Sequence, residues 1–320
     1  GMEAGYEFDT TTIRVAYSSP TTPERVYDLD LVTGARVLRK EQEVPSGHDP
    51  ARYVTRRIQA PAADGETVPV SLLYLKDTPL DGSAPLLLYG YGAYGITIPA
   101  AFSTNALSLV DRGFVYAIAH VRGGSDKGWG WYLDGKRENK RNTFTDFVCA
   151  AEHLVDSGLT RPERLVAYGG SAGGLLMGAV ANLAPHLFAG VLAQVPFVDP
   201  LTTILDPSLP LTVTEWDEWG NPLADKEVYG YMKSYSPYEN VAAVDYPPIL
   251  AMTSLNDTRV YFVEPAKWVA ALRHTKAGEH PVLLRTQMTS GHGGISGRYE
   301  RWKEVAFQYA WLLAAAQGDQ

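Results

Sequence analysis

A serine with a glycine two residues before it and another two residues after it is the first group here that could act as a nucleophile. Gly169, Ser171 and Gly173 belong to "GGSAG", which stands between the strand-like run "RLVAYGG" and the helix-like run "AGGLLMGAVANL". The pattern G-x-S-x-G between a strand and a helix is typical of a sharp turn that exposes the serine hydroxyl at the head of a sheet. The helix N-terminus also favours developing negative charge there. The alternative is a glycine-rich turn with an incidental serine.

A serine hydroxyl needs a general base at neutral pH, and the base needs a carboxylate to orient it. This kind of turn goes with the chain order Ser, Asp or Glu, His. His292 is the candidate base because "TSGHGGISG" follows the last predicted strand, "PVLLRTQM". Asp257 follows the strand "PPILAMTS" and is the candidate acid, in preference to Asp199 and Asp206, which come one strand too early. The alternative for His292 is an ordinary surface histidine.

The loop "LLYGYGAYG" carries a second pattern, because Gly90, Gly92 and Gly95 spell G-x-G-x-x-G. In a dinucleotide site a helix would begin at the last glycines, and an acidic residue would end the next strand. "ITIPA" follows instead, and the nearest acid precedes the next strand, so this interpretation fails. The loop suits an oxyanion hole, in which the phenol of Tyr91 and the amide of Ala172 donate hydrogen bonds. The alternative for Tyr91 is an aromatic packing residue.

These groups must be positioned by the secondary structure between them. From Pro85 onward, continuous apolar strands alternate with helices, which predicts a mostly parallel sheet with helices on both faces. Ligands bind such sheets at the carboxyl ends of the strands, where the candidate residues stand. Residues 1–50 have the pattern of short β-strands joined by turns, a segment too small to hold a core alone.

Composition excludes several classes of protein. A net charge of −8 over 320 residues argues against nucleic acid as a partner. No apolar run approaches the length of a membrane span, and no motif indicates a metal or a cofactor. Cys149 is the only cysteine, so nothing points to a disulfide-stabilised secreted fold. We therefore expect a cytoplasmic location, with the periplasm open if a leader was removed.

Together these stretches resemble the prolyl oligopeptidase family of serine peptidases, and most closely its oligopeptidase B branch. The resemblance runs from about residue 53 to the C-terminus and includes "LLYGYGAYG", "RGFVYAIAHVRGG", "GGSAGGLLMGAVAN", "QVPFVD", "EWGNP", "MKSYSPYENV", "EPAKWVA" and "SGHGG". It implies an α/β-hydrolase catalytic domain over residues 51–320. The positions that it assigns to catalysis are Ser171, Asp257 and His292 for the triad and Tyr91 and Ala172 for the oxyanion hole.

The resemblance also concerns the N-terminal segment. It implies that residues 1–50 are the end of a β-propeller, which in this family caps the active site and excludes large proteins. The rest of that propeller is absent from the sequence, so the missing N-terminal portion is an expected partner of the catalytic domain.

The acidic stretch "LTVTEWDEWGNP" indicates what the site would bind. Carboxylates beside aromatic faces suit a guanidinium or ammonium group, through charge-assisted hydrogen bonds and cation–π contact. By resemblance to oligopeptidase B, Glu215 recognises a basic residue before the scissile bond, with Asp217 in support and Phe197 stacking. The alternative is a solvated acidic loop.

Two features depart from the oligopeptidase B pattern. Pro99 and Ala101 stand where members commonly have two aspartates that bind a second basic residue, which argues against a strong preference for paired basic residues. Arg259 is similar to an arginine of the prolyl oligopeptidase branch that holds a substrate carbonyl. The alternative for Arg259 is a surface ion-pair partner.

The resulting prediction is a serine peptidase that hydrolyses short basic peptides on the carboxyl side of Arg or Lys, without a metal or a cofactor. A prolyl-specific or broad-specificity oligopeptidase and a carboxylesterase are alternatives on the same fold, because a fold does not determine its substrate. A non-catalytic binding module is the alternative from a different class.

Overall fold

The structure, a computed structural model, describes residues 1–3, 5 and 7–317 of the chain. Within these residues the strands form two separate sheets. The first sheet is antiparallel throughout and has the strand order β1-β2-β3-β4. Its strands are Met2–Glu3 (β1), Thr12–Ser19 (β2), Thr22–Asp30 (β3) and Arg36–Glu41 (β4).

The second sheet forms the centre of the remaining chain. Its strands among the described residues are Tyr53–Pro61 (β5), Thr67–Leu75 (β6), Leu86–Tyr89 (β7), Val115–Ala119 (β8), Leu165–Gly170 (β9), Gly190–Gln194 (β10), Ile249–Ser254 (β11) and Val282–Gln287 (β12). The order is β12-β11-β10-β9-β7-β8-β6-β5. Pairing is parallel from β12 to β8 and antiparallel for β6 and β5.

Helices follow most of the parallel strands. Those in the described part of the chain are Thr104–Val110 (α1), Trp129–Leu133 (α2), Arg141–Asp156 (α3), Ala172–Leu183 (α4), Pro200–Ile204 (α5), Thr212–Trp219 (α6), Lys226–Lys233 (α7), Val263–Thr275 (α8) and Arg298–Gln317 (α9). The sequence predicts α1, α3, α4, α8 and α9. It does not predict α2, α5, α6 and α7, which are five to eight residues long and lie in the loops between the predicted strands and helices.

Helices cover both faces of the large sheet, as the alternation of side chains along a strand requires. In β7, Leu86 and Leu88 belong to the same apolar cluster as Phe147 of α3. Leu87, between them, belongs to a second cluster with Leu312 of α9. All three leucines of β7 are fully buried. The prediction of a mostly parallel sheet with helices on both faces is confirmed.

The antiparallel sheet at the N-terminus agrees with the β pattern predicted for residues 1–50. It meets the larger sheet's domain through short contacts, such as the Ser18 hydroxyl accepting from the amide of Phe102 at 3.1 Å. Its origin in a propeller, and the boundary after residue 50, stay predictions. In the described residues no helix is both long enough and apolar enough to cross a membrane.

Candidate active site

Ser171 occupies a sharp turn between β9 and α4. Its backbone has φ 57° and ψ −118°, so it lies in the left-handed φ region that non-glycine residues rarely adopt. A Cβ atom on Gly169 would lie 2.3 Å from the carbonyl oxygen of Gly173, and one on Gly173 would lie 2.7 Å from that of Gly90. The glycines of G-x-S-x-G are therefore required by the close approach of the backbone, as the sequence pattern predicts.

The three candidate triad residues form one hydrogen-bonded chain. His292 Nε2 lies 3.1 Å from Ser171 Oγ, and His292 Nδ1 lies 2.7 Å from Asp257 Oδ2. The other carboxylate oxygen of Asp257 accepts from the amides of Arg259 (2.9 Å) and Val260 (3.0 Å). Asp257 is buried, so these amides and the imidazole replace its contact with water. The arrangement can hold the imidazole in the tautomer that accepts a proton from the serine hydroxyl.

The candidate oxyanion donors lie beside Ser171. Tyr91 follows β7, and Tyr91, Ser171 and Ala172 line the same cavity. Burial raises the pKa of the Tyr91 phenol to about 12, and the Ser171 side chain opposes this shift. The phenol thus keeps its proton at neutral pH and can donate it to a hydrogen bond. Ala172 is the first residue of α4, so its amide has no partner inside the helix and is available to an anion.

The cavity at Ser171 has a volume of about 400 Å³, and its charged lining residues, among those that the structure describes, are Glu215 and Arg259. Glu215 is held through one oxygen, because Oε2 accepts from the Tyr94 hydroxyl at 2.8 Å and from Trp219 Nε1 at 2.6 Å. No described protein group donates to its other oxygen, Oε1. The cavity therefore combines the candidate nucleophile, Ser171, with a carboxylate that has a free acceptor oxygen.

Phe197 and Arg259 also reach this cavity. The buried ring of Phe197 lies 5.4 Å from the ring of Trp219, centroid to centroid, so two aromatic groups stand beside Glu215. Arg259 is exposed, and in the described part of the chain no carboxylate lies within 4 Å of its guanidinium. The surface ion pair considered from the sequence is thus not formed by the described residues.

Asp217 does not reach the cavity, which corrects the expectation that it supports Glu215. Its carboxylate is 73% exposed and pairs with Lys136 at 2.7 Å and Arg137 at 2.8 Å. The physical reason is that residues 212–219 form α6, where a separation of two residues is a rotation of about 200° around the axis. Asp217 consequently lies on the opposite side of the helix from Glu215.

Glu218, and not Asp217, is the second carboxylate on the side of α6 that carries Glu215. Three residues after Glu215, it lies near the same face of α6 and is buried. Its Oε1 accepts from the amide of Tyr94 at 2.8 Å, and its Oε2 accepts from the hydroxyl of Tyr132 at 2.6 Å. The three-residue spacing of Glu215 and Glu218 could have indicated that they share a helix face. That inference is possible only once the segment is known to be helical.

Tyr94 is a further residue that the sequence did not indicate. Its amide and hydroxyl bind Glu218 and Glu215, so it joins the loop after β7 to α6. Its φ of 60° lies in the left-handed region, which is unusual for a tyrosine. Burial and the neighbouring Glu215 raise the pKa of its phenol, which therefore stays a hydrogen-bond donor.

Comparison with known proteins shows the family of this chain. Residues 100–319 match the prolyl oligopeptidase family, peptidase family S9. The chain is 50% identical over 314 residues to dipeptidyl aminopeptidase BI of Pseudoxanthomonas mexicana. The matched residues are 98% of this chain and 43% of the relative. It is 47% identical over 306 residues to protease 2 of Moraxella lacunata, covering 96% of this chain and 44% of the relative.

Solved structures give the same result. Oligopeptidase B from Leishmania major superposes with a TM-score of 0.93 at 47% identity, over 97% of this chain and 43% of that one. Oligopeptidase B from Trypanosoma brucei, with covalently bound antipain, has a TM-score of 0.93 at 48% identity, over 97% of this chain and 44% of that one. The chain thus spans less than half of the length of these relatives. It belongs to the prolyl oligopeptidase family of serine peptidases and is similar to the oligopeptidase B members of that family.

Proposed function

We propose that this chain carries the catalytic site of a peptidase that hydrolyses short peptides on the carboxyl side of Arg or Lys. The observation that carries the proposal is the position of Glu215 in the same cavity as Ser171, with one carboxylate oxygen free of protein donors. A buried cationic side chain needs such a partner, since an unpaired charge is costly to remove from water.

The proposed reaction is acyl transfer through a serine ester. His292 accepts the proton of Ser171 as the hydroxyl oxygen attacks the peptide carbonyl, and Asp257 stabilises the imidazolium that forms. The tetrahedral oxyanion accepts hydrogen bonds from the phenol of Tyr91 and the amide of Ala172. The imidazolium then gives its proton to the leaving amine, and water hydrolyses the resulting ester by the same steps in reverse.

The proposed pocket binds the cationic side chain by charge and by aromatic contact. The free oxygen of Glu215 accepts hydrogen bonds from the guanidinium or ammonium, while Phe197, which lines the cavity, offers its ring to the rest of the side chain. The buried ring of Trp219 packs behind Phe197. The buried carboxylate of Glu218, which replaces Asp217 in this role, adds negative potential from behind the pocket.

The neighbouring subsite is proposed to bind the peptide backbone. Arg259 lines the cavity without a carboxylate partner in the described part of the chain, so its guanidinium can donate to a substrate carbonyl. Pro99 and Ala101 offer no charge for a second basic side chain. One basic residue before the scissile bond is therefore sufficient in this proposal.

We further propose that the antiparallel sheet β1–β4 belongs to a propeller formed with an N-terminal portion outside this sequence. Four antiparallel strands in sequential order are the arrangement of one propeller blade, and the chain matches less than half of its relatives' length. A propeller over the site would restrict it to short peptides.

Two substitutions on α6 test the pocket. Reporter peptides with Arg, Lys, Pro or Ala before the cleaved bond are compared for Glu215→Gln and for Asp217→Asn, which removes the same charge two residues away. Glu215→Gln is expected to lower kcat/KM for the Arg and Lys reporters by about 10²- to 10³-fold and to spare the Ala reporter. Asp217→Asn is expected to keep the wild-type preference. A Glu215→Gln protein that still prefers Arg would refute the pocket.

A fluorophosphonate probe tests the nucleophile independently of substrate. Labelling of the wild-type chain and its loss in Ser171→Ala are expected. Labelling without cleavage of any peptide, together with hydrolysis of simple esters, would favour a carboxylesterase. Failure to label would favour a non-catalytic binding module, and a preference for the Pro reporter would favour the prolyl-specific alternative.

A further inference from the structure

Lys140 carries a buried ammonium group behind the proposed active site. It precedes α3, and its side chain is among the largest fully buried ones in the described chain, at 1% exposure. Nζ donates to the carbonyl oxygens of Gly92 and, at 3.2 Å, of Gly135, and lies 5.1 Å from the ring centroid of Trp219. No carboxylate of the described residues lies within 4 Å of Nζ. A buried cation without an ion-pair partner is costly, so its position calls for a reason.

The groups that Lys140 contacts include members of two segments that line the cavity, the loop of Tyr91 and α6. Gly92 directly follows Tyr91 in the loop that carries the proposed oxyanion donor. Trp219 belongs to α6 and donates its indole N–H to Glu215. One ammonium therefore binds a carbonyl of the loop and also lies against the ring of the residue that donates to Glu215.

Packing alone already fixes part of this loop. A Cβ atom on Gly92 would lie 2.3 Å from Cγ2 of Thr143 and 2.7 Å from Cγ2 of Val121, so the loop is seated tightly against α3. What Lys140 adds is directional, because its charge orients the carbonyl of Gly92 and hence the peptide plane between Gly92 and Ala93, one residue after Tyr91. The negative charge of Glu218 in α6 raises the pKa of the Lys140 ammonium, opposing the effect of burial. Glu218 also accepts a hydrogen bond from the amide of Tyr94, in the loop that carries Tyr91.

We propose that Lys140 is a positioning residue that fixes the loop of Tyr91 relative to α6, so that the oxyanion donor and the basic-residue pocket keep one geometry. It acts through Gly92 and Trp219 and does not touch the substrate. The roles of Tyr91 and Glu215 in this statement rest on the proposed function.

Three variants test this proposal in the full chain. Lys140→Met keeps the volume and removes the charge, and Lys140→Gln keeps a donor for Gly92. Lys127→Met is the matched control, because Lys127 also stands over an indole, 4.1 Å from the ring centroid of Trp131, but pairs with Glu66 away from the cavity. The concentration of reactive Ser171 is titrated with a fluorophosphonate, and kcat, KM and the melting temperature are measured with an Arg reporter amide and with p-nitrophenyl acetate.

Lys140→Met is expected to lower kcat by about 10- to 100-fold for both substrates, as a small misplacement of a catalytic group does, with KM unchanged. Its melting temperature is expected to equal or exceed that of the wild type. Lys140→Gln should regain part of kcat, and Lys127→Met should keep wild-type kcat. Because the acetate ester needs the oxyanion hole but not the basic pocket, it shows the effect of Lys140 even if the proposed Arg preference is wrong.

Two results would overturn the proposal. One is a wild-type kcat in Lys140→Met. The other is a loss of kcat that follows a fall in melting temperature and is equal in Lys140→Met and Lys140→Gln, which a purely structural role predicts. If Lys140→Met does not fold, Lys140→Gln decides: a kcat below that of the wild type at an unchanged melting temperature supports the proposal, and a wild-type kcat, or one that falls only with the melting temperature, overturns it.

Discussion

The imidazole Nε2 of His292 lies 3.1 Å from the hydroxyl oxygen of Ser171, although 121 residues separate them in the chain. The large sheet brings them together. Ser171 follows β9, and His292 is in the loop after β12, with β10 and β11 lying between these strands in the sheet. Because these strands are parallel, the loops after them all lie at the same edge.

The first prediction concerns the carboxylate that orients His292. Asp257→Asn is expected to lower kcat by about 10³- to 10⁴-fold with little change in KM, because an amide at this position favours the wrong imidazole tautomer. Steady-state kinetics with an Arg reporter peptide measure the effect. Asp206→Asn is the control, since Asp206 caps a turn at Ser208 outside the hydrogen-bonded chain. Equal losses in both variants would contradict the assignment.

A second prediction concerns the proposed oxyanion hole. Tyr91→Phe removes one donor and is expected to lower kcat by about 10²- to 10³-fold. Tyr89→Phe is the matched control, because the Tyr89 ring packs against Tyr168 and no described group bonds its hydroxyl. A wild-type kcat in Tyr91→Phe would make Tyr91 a packing residue.

The strained turn at Ser171 leads to a third prediction. Gly169→Ala is expected to lower the free energy of unfolding by about 1–3 kcal/mol, because the new methyl group overlaps the carbonyl of Gly173. Gly230→Ala is the control in α7, where the space for a Cβ is open, and it is expected to raise that free energy by about 0.5–1 kcal/mol. Urea unfolding measures both, and a neutral Gly169→Ala would contradict the required close approach.

The fourth prediction is the pH dependence of stability at Lys140. Burial lowers the pKa of its ammonium from 10.5 to about 8, opposed by Glu218. Below pH 8 the folded protein bears the full cost of the buried charge. Between pH 8 and 10.5 the unfolded chain binds the extra proton, so wild-type stability rises with pH.

Lys140→Met has no such cost, so its free energy of unfolding is expected to exceed that of the wild type by about 1–3 kcal/mol below pH 8. The excess should shrink as the pH approaches 10.5. Urea unfolding at a series of pH values measures it. If the difference in free energy of unfolding between Lys140→Met and the wild type does not vary with pH, the ammonium is not desolvated in the folded state.

Much of the site could be predicted from local patterns. Ser171, Asp257 and His292 each follow a recognisable apolar strand, and parallel strands bring such loops to one edge. The glycines around Ser171 were predictable for the same local reason, since G-x-S-x-G describes a turn that only small residues allow.

The pocket was less predictable, because its composition depends on rotation about a short helix. Eight residues in α6 carry no periodic signal, so Asp217 and Glu218 were equivalent neighbours of Glu215 in the sequence. Helix geometry sends Asp217 to solvent and Glu218 inward. Lys140 could not be predicted either, since a lysine among polar residues is normally exposed.

By itself, the amino-acid sequence determined the alternating strands and helices, the turn at Ser171 and the order of the candidate catalytic residues, because these depend on neighbours within one element. Only the tertiary structure decided which carboxylate of α6 faces the cavity, which tyrosine joins the loop to it and why an ammonium is buried behind both. Those features depend on distances between groups far apart in the chain, and such distances exist only after the sheet and helices have packed.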